Sequence, residues 1–392
     1  MSRTSDSGDP ELMAVQVIPH RIAGGMQRVA ELLDTALPGF GVRSSVVTLN
    51  ELTGQVSSGG ARRTPRAVIS AWLTLRRQWR GGRSAGSARV LPALGDASGS
   101  RGTDAVISHT VFGAALAATA ARAAAVPCRM LVVHSNREGL GAPKTILLWL
   151  LAQTRMLTHI VYCGQSVAET FGGLRGRIRT IGRPVQNGIQ LPDRGGVEYQ
   201  RVPGTPVPGS PAILMVAARL VPGKNLALAV EAVARCVEPV VLRIYGEGSE
   251  KSALEALAAL HAAPVEFHGS VDRAKLQQAY SHATLFLLPS IAEGLPLVLV
   301  EAAAAGVPVI AADRRFSREV LGEGGFYPAT DTPEQWARAI DTLCADPNAR
   351  EGLRADAAQR IESFSVERMA REYAEIIRGA HCQTRTQSTR IG

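Results

Sequence analysis

What most constrains this chain is one grammar written twice, with a proline- and glycine-rich break between the copies. In the first half short apolar runs at 13–20 (MAVQVIPH), 43–50, 104–110, 129–136 and 159–166 read as strands, and RIRTIGRPVQNGI completes the set. Helical segments end near Gly39, span 113–125 and restart near 166. The break at 191–211 holds five prolines and four glycines. Strand-like runs then resume at 212–220, 240–248, 264–270, 284–290 and 307–313, with helices near 225–236, 250–262, 273–282, 296–305, 333–345 and 348–361. Short apolar strands separated by helices belong in parallel sheets covered on both faces. The predicted fold is α/β, two Rossmann-like doubly wound domains facing across a ligand cleft. The expected boundaries are 1–192, a linker at 193–211, 212–364, a helix at 365–380 packing back towards the first domain, and a flexible tail at 381–392. No residue-level repeat accompanies the repeated grammar.

Composition narrows the function classes. A chain of 392 residues fits about two domains. With 46% hydrophobic residues each can build a core, which excludes global disorder. No apolar run reaches the roughly 20 residues of a membrane-spanning helix. The polar start, MSRTSDSGDPELM, lacks the apolar centre of a signal peptide. The five cysteines (128, 163, 236, 344 and 382) are odd in number and share no metal-ligand spacing. They imply a reducing cytosol with neither a disulfide framework nor a zinc site. Residues 1–200 carry a net charge of +11 and residues 201–392 a net of −2. No aromatic stacking platform or recognition motif turns that basic half into a nucleic-acid reading.

Three segments carry candidate chemistry. In PSIAEGLPLVLVEAAAAGVPVIAAD (289–313) a strand ends at Ser290 and a loop carries Glu293, Gly294 and Leu295. Pro296 and Gly306 bracket a helix, whose amino end is an anion site. Glu301 follows about 7–8 Å along the axis among alanines and valines. A carboxylate there needs donors, and a ribose diol or an internal arginine would each supply them. In VAARLVPGKN (216–225), Arg219 and Lys224 sit on a strand-to-helix loop and could clamp a diphosphate. The alternative is two solvated surface cations. In HRIAGGMQR (20–28), Gly24 and Gly25 allow either close ligand approach or a plain tight turn. Gly246 and Gly248 in YGEGSE act alike, but no third glycine completes a dinucleotide fingerprint. His109 and His134 end two strands of the first half and are either structural or catalytic. His268 and His282 read as structural. No Asp-x-Asp pair supports a divalent-metal cage, so neither metal nor cofactor is expected.

Taken together these segments resemble the family-four (group 1) retaining, nucleotide-sugar-dependent glycosyltransferases with the GT-B fold. Glu293…Glu301 is similar to that family's E-x7-E element, ARLVPGKN to its donor-phosphate loop, YGEGSE to its glycine turn and GGMQR to its N-domain glycine loop. PVQNGIQ resembles its Asn-Gly element and VVHSN the strand end bearing its active-site histidine. The resemblance implies that Arg219 and Lys224 bind the donor diphosphate and stabilise the departing nucleotide, a metal's work done by fixed cations. It implies that Glu301 holds the ribose hydroxyls. Glu293 with the Gly294 and Leu295 amides would hold sugar hydroxyls and phosphate. His134 would contact the sugar near the reacting carbon, while Gly24, Gly25 and Gly246 approach the donor. It further implies retention by same-face attack, with a donor phosphate oxygen taking the acceptor's proton. Gln27 and Gln190 depart from the acidic residues usual there, which leaves the acceptor open.

The implied activity is hexosyl transfer to a hydroxyl of a saccharide or lipid-linked acceptor, in cell-envelope or exopolysaccharide synthesis. A nucleotide-sugar epimerase and a non-catalytic nucleotide-sugar-binding protein are the alternatives. Between Glu51 and Asp96 there is no acid and there are eight arginines. Within that stretch PRAVISAWLTLRRQWR (65–80) sets Val68, Ile69, Trp72, Leu75 and Trp79 near one helical face. Such a helix suits either an anionic membrane surface or the flank of the first domain. The expected location is cytoplasmic, with peripheral contact at the inner face of the plasma membrane as its extension.

Overall fold

Where apolar side chains can be buried on both faces of a sheet, strands need no polar alternation, and β1 (Leu12–Ile18) is buried along nearly its whole length. It belongs to a computed structural model that describes residues 11–21, 24–53, 65–80, 102–172, 180–191 and 210–389. Two units divide the chain: Met1–Gln186 with Val366–Gly392, and Asn187–Ser365. The sequence-derived linker, 193–211, lies almost wholly outside the described residues.

In the first unit β1 is joined by β2 (Val42–Thr48), β3 (Ala105–Ser108), β4 (Cys128–Val133), β5 (His159–Tyr162) and β6 (Thr180–Pro184). Their order is β2-β1-β3-β4-β5-β6, and every pairing is parallel. Register is regular at the centre, with Leu12 opposite Val42 and Ala14 opposite Ala105. The order reverses between β1 and β3, so the carboxyl ends of those strands flank a switch point, where clefts open in such sheets.

The helix Pro65–Arg80 uses its apolar face for packing. Ala71, Leu75 and Trp79 are buried in one cluster with Val106, Ala117 and Ala121. Trp72 Nε1 donates to Thr119 Oγ1 at 3.1 Å, on the neighbouring helix Val111–Ala123. Of the two uses the sequence allowed for this face, the structure takes the flank of the first unit. Ile69 and Leu73 alone among its described large apolar side chains stay exposed.

The last helix, Val366–Thr389, also belongs to the first unit. Met369, Tyr373 and Ile377 are fully buried. Arg368 Nη2 donates to the Gln186 carbonyl at 2.8 Å and Arg378 Nη2 to that of Phe40 at 2.6 Å. The flexible tail expected from 381 is a correction, because the helix continues to Thr389. No proline interrupts that stretch, and a single glycine at 379 is too weak a stop.

The second unit contains β7 (Ala212–Ala217), β8 (Val240–Tyr245), β9 (Val265–Gly269), β10 (Leu285–Leu288), β11 (Val309–Ala311) and β12 (Gly325–Phe326), in the order β12-β11-β10-β7-β8-β9. Counted from β7 this is the 3-2-1-4-5-6 sequence of a Rossmann sheet, whose switch point lies between β7 and β10. Leu214, Leu242, Leu285, Leu287 and Ile310 are among the strand residues that build the core. Helices Leu226–Val233 and Pro333–Ala345 close over them with Trp336 and Ile340, both fully buried.

Candidate active site

The loop after β7 is built by backbone contacts with the loop after β8. Ala218 N donates to the Tyr245 carbonyl and Leu220 N to that of Glu247, both at 3.0 Å, and Glu250 N returns to the Leu220 carbonyl at 2.9 Å. This approach explains two glycines. A Cβ on Gly246, whose φ is +137°, would lie 1.9 Å from the Ala218 carbonyl oxygen, and one on Gly248 would lie 2.2 Å from that of Leu220. Both glycines therefore brace the loop that carries Arg219 and Lys224.

Beyond Leu220, which is fully buried, Pro222–Lys224 make one 3-10 turn, and Asn225 at φ 52° turns the chain into the helix Leu226–Val233. Gly223 accepts from Ile291 N at 3.0 Å, which ties this loop to the one after β10. There Lys224 Nζ and Glu293 Oε1 form an ion pair, their side chains only 17% and 12% exposed. An ion pair so poorly hydrated has surrendered much of its solvation, so its cation is ready to exchange one anion for another. Arg219, on the same loop, is exposed, and among the described residues no ion pair engages it.

The helix Leu297–Ala304 starts just past Gly294 and Leu295, with Pro296 as its N-cap and no side chain capping its first turn. Its amino end is thus left to other acceptors. Gly306, at φ +69°, closes the far end. One turn in from the start, Glu301 receives the Tyr280 hydroxyl at 3.4 Å. Burial raises its pKa, and Arg273 and Tyr280 pull it back only in part. The carboxylate is therefore short of donors. The internal-arginine alternative is met only at a distance, through the field of Arg273.

In the first unit Gly24 caps the helix Gly25–Ala36 with an extended φ of 177°, a conformation open to any residue. A Cβ on Gly25 would meet nothing within 4 Å. Neither glycine is required by the backbone. Gln27 is buried, with its Nε2 3.4 Å from His20 Nδ1. His134, just past β4, puts its Nε2 3.0 Å from Nδ1 of His109, just past β3. Burial holds the pKa of His134 down at about 4. Burial, then the neighbouring ring, holds that of His109 well below the usual imidazole range.

Two residues of these sites were not singled out from sequence. Tyr280, the donor to Glu301, reads as an ordinary helix residue and carries no signal. Gln16 does carry one, as the polar residue inside the apolar run MAVQVI. Among the described residues no group of three or more His, Cys, Asp or Glu side chains could hold a metal ion, and no helix is long and apolar enough to cross a membrane.

Two doubly wound units of this topology have the GT-B fold. HepE from Anabaena, solved with UDP and glucose, superposes with a TM-score of 0.68 at 18% identity, over 94% of this chain and 100% of its own. The lipopolysaccharide outer core galactosyltransferase WaaB superposes with a TM-score of 0.64 at 14% identity, over 94% of this chain and 99% of its own. Residues 202–360 match the profile of the family described as "Glycosyl transferases group 1". Over 151 residues it is 34% identical to a D-inositol 3-phosphate glycosyltransferase of Streptomyces griseus, covering 37% of this chain and 32% of that one. Over 113 residues it is 37% identical to an alpha-maltose-1-phosphate synthase of Mycolicibacterium smegmatis, covering 26% of this chain and 29% of that one. The chain thus spans about a third of the length of the curated relatives it matches.

Proposed function

We propose that the protein is a metal-independent glycosyltransferase that takes a hexosyl group from a nucleoside-diphosphate sugar and passes it, with retention, to a hydroxyl of a saccharide or lipid-linked acceptor. The observation that carries this reading is the poorly hydrated Lys224–Glu293 pair at the switch point of the second unit, beside an exposed Arg219. An arriving diphosphate takes over Lys224 and recruits Arg219, so negative charge on the departing nucleotide is met by two fixed cations. Glu293, released from its partner, accepts hydroxyl groups of the sugar. Gly294 and Leu295 present backbone amides at the helix start, and Gly246 lies against the loop that carries Arg219. Glu301 accepts from the ribose diol, which supplies the donors it lacks. Gly24, Gly25 and His134 of the first unit serve the phosphates and the sugar.

UDP is the first nucleotide to try, because HepE was solved with it. Thermal-shift titration with UDP, GDP, ADP and dTDP should give stabilisation by one of them that disappears in Lys224→Ala. No response to any nucleotide would refute donor binding. Mass analysis of the product separates transfer from epimerisation, which leaves the donor's mass unchanged. A place in cell-envelope or exopolysaccharide synthesis, at the cytosolic face, is part of the same proposal. Lipid contact in that role falls to Ile69, Leu73 and the exposed Ile146, Trp149 and Leu150. Co-sedimentation with anionic but not neutral vesicles is its expected signature.

A further inference from the structure

A buried polar chain in the first unit fixes protons at named atoms. Gln16 is fully buried in β1, and its Nε2 lies 3.0 Å from the Ala30 carbonyl oxygen and 2.9 Å from Ser44 Oγ. A carbonyl oxygen only accepts, so that end of the amide is the NH2 and the other end is the oxygen. Gln16 Oε1 is 3.0 Å from His109 Nε2, which must therefore carry a hydrogen. His109 is 2% exposed and stands between an amide and a second imidazole, a setting that keeps it neutral. A neutral ring has one N–H, which leaves His109 Nδ1 a bare lone pair. The hydrogen in the 3.0 Å contact between His109 Nδ1 and His134 Nε2 then belongs to His134. The ring centroids are 5.2 Å apart and the planes differ by 18°, as for two nearly coplanar rings meeting nitrogen to nitrogen.

We infer that His109, oriented by Gln16, is a positioning residue that holds His134 as its Nε2–H tautomer and presents His134 Nδ1 as a hydrogen-bond acceptor. The relay runs one way, from His134 through His109 and Gln16 to a backbone carbonyl, and the carbonyl sets its direction. His134 can then receive a hydroxyl of a bound sugar and cannot donate to one. That functional half rests on the proposed glycosyl transfer, whereas the tautomer assignment does not.

Long-range proton–nitrogen correlation on the full chain with 15N-labelled histidine tests it directly. Both His109 and His134 should show protonated Nε2 and bare Nδ1 at pH 7. His109→Ala should let His134 take up its second tautomer, because the preference set by a satisfied buried N–H, worth about tenfold, is gone. His109→Asn should restore the single tautomer by offering an oxygen near the lost Nδ1. Where His109→Ala fails to fold, Gln16→Leu, which removes the oxygen at the other end, should likewise give two forms of His134. A protonated Nδ1 on His134 in the unaltered protein, or one unchanged tautomer in a folded His109→Ala, overturns the inference. In turnover assays His109→Ala should lower kcat at least tenfold, leave nucleotide Kd unchanged and be rescued in part by His109→Asn. Equal kcat would remove the positioning role. If the unaltered protein transfers no sugar, the glycosyl-transfer reading falls and the spectrum still decides the tautomer.

Discussion

Glu301 and Lys224 are held in opposite states of readiness. Lys224 has an internal partner to release, whereas Glu301 is a carboxylate whose pKa burial has raised. A raised carboxylate pKa means that the ionised form opposes folding, in a pH range that begins above the unfolded value and extends upward through the folded one. Glu301→Gln should therefore raise the Tm of the empty protein at pH 7 while weakening nucleotide binding at least tenfold, the cost of about one charged hydrogen bond. Calorimetry on the free and nucleotide-bound protein reads both effects, and a fall in Tm together with unchanged Kd would refute the ribose role. Gly25 offers the complementary test. A Cβ added there would meet nothing within 4 Å, so Gly25→Ala should change stability by less than about 0.5 kcal/mol. A loss of turnover in that variant would then report ligand approach alone.

Loops and helices divide differently between what was legible and what was not. Gly246→Ala and Gly248→Ala each push a methyl group into backbone of the 218–220 loop. Each should cost about 2 kcal/mol or more in denaturant unfolding and also weaken nucleotide binding through the displaced loop. Leu75→Ala, in the helix Pro65–Arg80, should cost about 2–5 kcal/mol, whereas Ile69→Glu on its exposed side should be near neutral. The helix itself was legible from its periodicity, but the partner of its apolar face was not. A stripe of apolar side chains specifies burial and leaves open what does the burying. Strand β12 escaped because its two residues are too few for any pattern. Of the candidate sites, the charges on strand-to-helix loops, Lys224 and Glu293, were legible, but their pairing was not. A contact between distant segments, such as that of the Tyr280 hydroxyl with Glu301, leaves no local signal. The glycine turn lay between these cases, its spacing visible but its packing against Ala218 and Leu220 hidden.

At the scale of the molecule the buried histidines of the first unit predict that it is the acid-sensitive one. His134 and His159 are held at about 4 by burial, and His109 well below the usual 6.5. A histidine with a depressed folded pKa contributes stability that is complete above about 6.5 and is lost as pH falls through its folded value. Unfolding followed between pH 7 and pH 4 should show the first unit weakening steeply, and His134→Gln should flatten the slope. The chain path makes a second consequence unavoidable. It leaves the first unit at Gln186 and re-enters it at Val366, and Ile189 N meets the Phe364 carbonyl at 2.8 Å where the outgoing and returning segments run side by side. The second unit is thus spliced into the first like a parenthesis within a sentence. During synthesis the inner clause can close early, but the outer one stays grammatically open until its final 24-residue helix has cleared the ribosome. A nascent chain halted shortly before that point should carry a protease-resistant inner unit and an outer one still open to cleavage.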